Sequence, residues 1–116
     1  MNVSVKRAYE PFSAEDGYRI LIDRLWPRGI KKEGANIDRW MKNVAPSTAL
    51  RQWFDHDPEK WEEFKIKYHH ELEGSDEFDD LVSCIRKNKT VTLLYAAKDA
   101  EHNHALVLQQ LIKSLL

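Results

Sequence analysis

Hydrophobic positions along the chain change period several times, and each change marks an element. Residues 3–9, VSVKRAY, alternate as a strand does, and EPFSAEDG after them, with Pro11 and Gly17, reads as a turn or loop. In YRILIDRLW, residues 18–26, one strand face carries Tyr18, Ile20, Ile22, Arg24 and Trp26, and the other carries Arg19, Leu21, Asp23 and Leu25. Both faces are apolar at the centre, which predicts a strand covered on both sides. Helical spacing follows. Ile37, Trp40, Met41 and Val44 keep i, i+3, i+4, i+7 order, and a short helix capped by Ser47 after Pro46 would carry Leu50, Trp53 and Phe54. Asp57-Pro58 is a helix-start signal, with Trp61, Phe64, Tyr68 and Leu72 on one face, and Gly74 ends that helix. Ser75 or Asp76 opens another, with Phe78, Leu81, Val82 and Ile85 inward. TVTLLYAA then reads as a short buried strand, and a C-terminal helix from about Asp99 aligns His104, Leu108, Leu111 and Leu115.

A strand, a helical crossover and a second buried strand make a βαβ unit with parallel strands. The expected fold is therefore a small three-layer α/β domain with a short, mainly parallel sheet, helical crossover and C-terminal helix. Parallel strands bring their carboxyl ends to one edge, outside which ligands of open α/β sheets sit. Residues 24–29 should then face residues 97–104.

Length and composition narrow the picture without changing it. With 116 residues and 42% hydrophobic content, residues 1–116 make one domain with one core. No apolar run approaches the roughly 20 residues of a membrane span, and MNVSVKRAYE lacks the apolar segment of a secretory signal, so the expectation is a cytoplasmic protein with no membrane partner. The single cysteine, Cys84, excludes an internal disulfide framework and is expected to be a buried small side chain. Charge is uneven: residues 1–45 hold nine Lys/Arg and six Asp/Glu (+3), residues 46–116 nine and thirteen (−4), which together give the net −1. A modest basic half suits a small anion better than nucleic acid, which usually meets a strongly basic domain.

The basic half contains DRLWPRG, residues 23–29. A charge carried into such a strand end needs a partner. Two readings stand for it. Asp23 could hold Arg28, Arg39 or the Trp26-Pro27 turn as structural glue; alternatively Arg24 and Arg28 could form a fork for a carboxylate or phosphate, since planar guanidinium groups bind such anions bidentately. In the second reading Pro27 fixes the turn, Gly29 lets backbone approach the ligand, and Trp26 is the one tryptophan placed to stack on it. Across the cleft, Lys98 ends the last strand, and His102 and His104 lie in the first turn of the helix, as acid–base candidates. Asp99 and Glu101 could satisfy that helix end themselves. His56 could reach the same edge or stabilise its own turn. Metal and cofactor sites are not expected: no HExxH or CxxC frame and no glycine-rich phosphate loop occurs, and His102 and His104 would chelate poorly if both were helical.

DRLWPRG, LRQWFDHDPEKWEEFKIKYHHEL and VTLLYAAKDAEHNHALVL closely resemble the short, YeaO-like branch of the bacterial domain of unknown function family 488, over nearly the whole chain. The resemblance implies a compact cytosolic α/β domain and no established activity. Longer relatives carry a cysteine-histidine-arginine triplet in the last loop and a further cysteine near the last strand's end. Here Asn103, His104 and Ala105, and Tyr95, stand at those places, so thiol chemistry has no support; Asp23, Arg24, Arg28, Gly29 and His104 match. The leading expectation is a binder of a small phosphate- or nucleotide-like anion between Arg24/Arg28 and Lys98/His102, with catalysis open. Its rivals are a nucleic-acid-associated regulator, disfavoured by acid-rich helices, and an interaction module or homodimer using the aromatic segment 47–72.

Overall fold

The computed structural model describes residues 2–116. Four strands, β1 (Asn2–Arg7), β2 (Tyr18–Leu21), β3 (Arg39–Trp40) and β4 (Thr90–Tyr95), form one sheet in the order β1-β4-β2-β3, with every pair parallel. Four helices accompany it: α1 (Thr48–Phe54), α2 (Trp61–Leu72), α3 (Asp76–Arg86) and α4 (His104–Leu115). The α/β class, the parallel sheet and the C-terminal helix are as the sequence predicts.

β4 is central because it is apolar on both faces. Val5 and Ile20 flank Leu93 from either side in the register, and five of the six β4 residues are buried. Val3, Ile20, Ile22, Val91, Leu93 and Tyr95 pack against the inner faces of all four helices in one core. The opposite face is covered by a loop layer instead of a helix: Leu21, Leu94 and Ala8 meet Trp26, Ile30, Ile37 and Trp40.

Helix starts follow their caps. Ser47 Oγ accepts from Leu50 N (3.1 Å), Ser75 Oγ from Phe78 N (3.2 Å), and Asp57 Oδ1 from Glu59 N (3.0 Å) in a 3-10 turn, Pro58–Lys60, that leads into α2. Cys84 is buried, as expected.

Three local expectations are corrected. The segment 37–44 is not a helix; it forms β3 and a 3-10 turn, Lys42–Val44. Consecutive Trp40 and Met41 go to opposite sides of the sheet, which is strand geometry, and Pro46 is too close for a helix to continue. The strand from Tyr18 leaves the sheet after Leu21, not at Trp26. The last helix begins at His104, not near Asp99, because Asn103 is its cap: Leu106 N donates to Asn103 Oδ1 at 3.2 Å. An asparagine before ALVL was the available signal.

Candidate functional site

β2 and β4 are neighbours and run the same way, so their ends open on one edge, and a cleft of about 560 Å³ lies there. The departing β2 supplies Asp23. Ile22 N still donates to Leu94 O (3.1 Å), and one residue on, the Asp23 side chain replaces the backbone as acceptor: Ala96 N donates to Asp23 Oδ2 at 2.9 Å. Neither Arg28 nor Arg39 is its partner. Asp23 is glue, but glue between the two strand ends and the start of α4.

His104 completes that joint. Its Nε2 lies 3.0 Å from the Ile22 carbonyl oxygen and 3.1 Å from Asp23 Oδ1, two acceptors, so Nε2 carries the proton. The N–H is directed at the carbonyl; Asp23 Oδ1 lies beside the ring but outside hydrogen-bonding geometry. Tyr68 backs the ring at 6.3 Å between centroids and donates its hydroxyl to Val44 O at 2.6 Å. Full burial pushes the Tyr68 phenol well above its ordinary range, with the nearby Glu71 and Asp23 charges adding to the effect, so it remains a neutral donor.

His102 precedes the helix. Its Nδ1 lies 2.9 Å from Asp99 Oδ2, which fixes the proton on Nδ1 and leaves Nε2 free, and its ring stands edge-on to Trp61 at 5.4 Å. Asp99 also accepts from the Glu101 and His102 amides (2.9 and 3.1 Å); these backbone bonds and the His102 ring hold its carboxyl below the usual range despite some desolvation. Asp99 therefore serves the turn before the helix, and Asn103 caps the helix itself.

Arg24, Arg28, His102 and His104 all line the cleft, as does Trp26. Among the described residues neither Arg24 nor Arg28 has an acidic partner within 4.0 Å. Arg24 is held by carbonyls: one terminal nitrogen donates to Ala45 O and Pro46 O, both at 3.3 Å, while Nε is sealed from solvent with no partner. Arg28 is exposed. Trp26 is anchored as wall, with Nε1 donating to Ile30 O at 2.6 Å and its ring edge-on to Trp40 at 5.5 Å.

Two expected members are not brought in. Lys98 is exposed and lies outside the cleft. Gly29 also stays outside, and a Cβ there would meet nothing within 4 Å, so it provides no close approach; its φ of 81° serves the turn closed by Ile30 N and Pro27 O. In their place α1 supplies Arg51, which the sequence reading did not single out, and the next turn supplies His56. Asp55 and His56 take successive left-handed conformations, φ 47° and 55°, which direct the chain along the rim. Arg51 was hidden by exposure: a polar residue on a short amphipathic helix carries no sign of what it faces.

The cleft thus holds three arginines against two carboxylates, Asp23 and Asp55, a formal +1 before any histidine is protonated. Among the described residues no group of three or more His, Cys, Asp or Glu is arranged to hold a metal, and no helix is long and apolar enough to cross a membrane. Removing the strand-end joint should cost stability: Asp23→Ala is expected to lose about 1–3 kcal/mol in urea unfolding, the range for an Ala96 N–H left without its acceptor. A loss below measurement error would show the joint to be idle.

A family model described as "Inactive DUF488-N3 subclade" matches residues 2–116. The chain is 44% identical over 115 residues to "Uncharacterized protein YeaO" of Escherichia coli (strain K12), covering 99% of this chain and all of that one. It is 40% identical over 110 residues to "Uncharacterized protein Rv3073c" of Mycobacterium tuberculosis and to "Uncharacterized protein Mb3100c" of Mycobacterium bovis, covering 95% of this chain and 92% of each. No solved structure gives a significant match.

Proposed function

The chain belongs to the DUF488-N3i family, and from that premise we propose that it is a receptor for a small anionic ligand, which it binds without transforming, at the carboxyl edge of the sheet. One observation carries the reading: Arg24, Arg28 and Arg51 line a single cleft, and among the described residues none of them has an acidic side chain within 4.0 Å. Guanidinium groups with no carboxylate within ion-pair distance, in a cleft of net positive charge, suit a carboxylate or phosphate. The description of the family as inactive accords with the use of its histidines: His104 is committed to the strand-end joint and His102 to Asp99. Each is oriented, but neither faces a serine or cysteine nucleophile in the cleft lining.

Titration with inorganic phosphate tests the reading. At tenfold excess over Kd a single site adds about 1.4 kcal/mol, a rise in Tm of about 5 °C for a domain of this size. The exposed Arg28 and Arg51 can be replaced with little effect on folding, so Arg28→Ala with Arg51→Ala should keep the Tm of the unliganded protein and lose the phosphate-dependent rise. An unchanged rise in the double variant, or none in the parent protein, overturns the proposal.

A further inference from the structure

Resting on that anion-receptor reading, the lining of the cleft narrows the ligand. We infer that it is an organic anion with an acidic head and a largely apolar body, and that a free inorganic anion fills only part of the site. The cleft encloses about 560 Å³, within the roughly 300–1,000 Å³ typical of sites for whole organic ligands, and its cationic groups occupy only a share of the wall. Much of the remainder is apolar: Phe54 and Phe64 from the helices, Ala96 and Ala97 from the end of β4, and Leu25 and Trp26 from the chain leaving β2; Thr48, Gln52 and Asn103 add neutral polar groups.

Leu25 carries the argument furthest. It is 68% exposed, while Ile20, Leu21 and Ile22 just before it are completely buried. Its neighbours in sequence, Arg24 and Trp26, are both anchored to backbone carbonyls, so the segment that presents Leu25 is held in place. A large aliphatic side chain on a fixed segment, beside arginines that have no acid, gives a ligand both an apolar contact and a counter-charge. A bare phosphate can use only the second.

Three probes with one acidic group test this on the intact chain: inorganic phosphate, ribose 5-phosphate with a polar body, and phenyl phosphate with a flat apolar one. Calorimetric titration is expected to give phenyl phosphate roughly tenfold or more tighter binding than either of the others, the effect of burying a ring edge and face. Leu25→Asn, at an exposed position, should keep the Tm and shrink that preference at least threefold. Equal affinities for the three probes, or a preference untouched by Leu25→Asn, overturns the inference and leaves the anion receptor standing. Failure of all three to bind overturns both.

Discussion

Asp16→Ala is expected to destabilise the domain by about 3–5 kcal/mol, measured by urea unfolding at neutral pH. Arg19 lies within the sheet with its side chain only 3% exposed, and the Asp16 carboxylate is its acidic partner. Asp16 also receives Lys6 Nζ at 3.0 Å and the Ser13 amide at 3.1 Å, so one carboxylate serves two cations and a turn. Arg19 Nε keeps the Asn36 carbonyl at 2.8 Å in the variant, but its terminal nitrogens would face a buried site without counter-charge. Breaking a buried pair from one side costs more than the pair contributes, because the abandoned charge remains desolvated. A loss below about 1 kcal/mol would mean that the guanidinium finds water, and the cluster would then be a surface feature.

The same cluster sets a pH dependence. Burial acts against the Asp16 charge, but the hydrogen bonds from Lys6, the Ser13 amide and Arg19 outweigh it and hold the carboxyl below its ordinary 3.8. A carboxyl with a depressed folded-state pKa adds stability that is complete above the unfolded value and disappears as pH falls through the folded one. Unfolding free energy should therefore drop below pH 4 more steeply in the parent protein than in Asp16→Ala. Parallel curves would count against the assignment.

This cluster also marks where the sequence was silent. Alternation placed Arg19 opposite Ile20, but nothing in EPFSAEDG said that its Asp16 would swing under the sheet to meet a strand residue. The turn Ala14–Asp16 achieves this through a capping box in which Ser13 and Asp16 exchange bonds, followed by Gly17. Ser-x-x-Asp could have been read as a capping signal, but its consequence for Arg19 is a tertiary fact.

The sheet edge was legible because two signals agreed: apolar runs at 18–22 and 90–95 named buried strands, and the intervening helices required them to be parallel. That sufficed to bring DRLWPRG and the HNH stretch together. Period alone misled at 37–44, where four apolar residues fit a helix while serving two faces of the sheet. Within the cleft, Arg24, Arg28 and His102 were legible as polar groups at a strand or helix end and His56 as one of two alternatives, whereas Arg51 depended on where α1 would lie.

Gly17→Ala is expected to lose about 2–5 kcal/mol, and the cause is separable by a control. Gly17 sits at φ 67° and ψ −137°, a combination that side-chain-bearing residues avoid at a cost of about 1–2 kcal/mol. The second contribution is steric. A Cβ would strike the Thr90 carbonyl, with its carbon and the Thr90 Cβ both 2.8 Å away. Thr90 cannot easily retreat, since it opens the central strand, pairs with Asn2 of β1 and precedes Val91, which pairs with Tyr18 of β2. Any movement that admits the methyl group disturbs both ladders at once, at an overpacking cost of about 1–3 kcal/mol. Gly29 has a similar φ, 81°, but open space around its Cβ position. Gly29→Ala should therefore carry a conformational cost without a steric one, and the loss is expected to be larger at Gly17, where the entry to β2 is pressed against β4. Equal losses would place the strain in the turn and leave the contact with Thr90 without energetic weight.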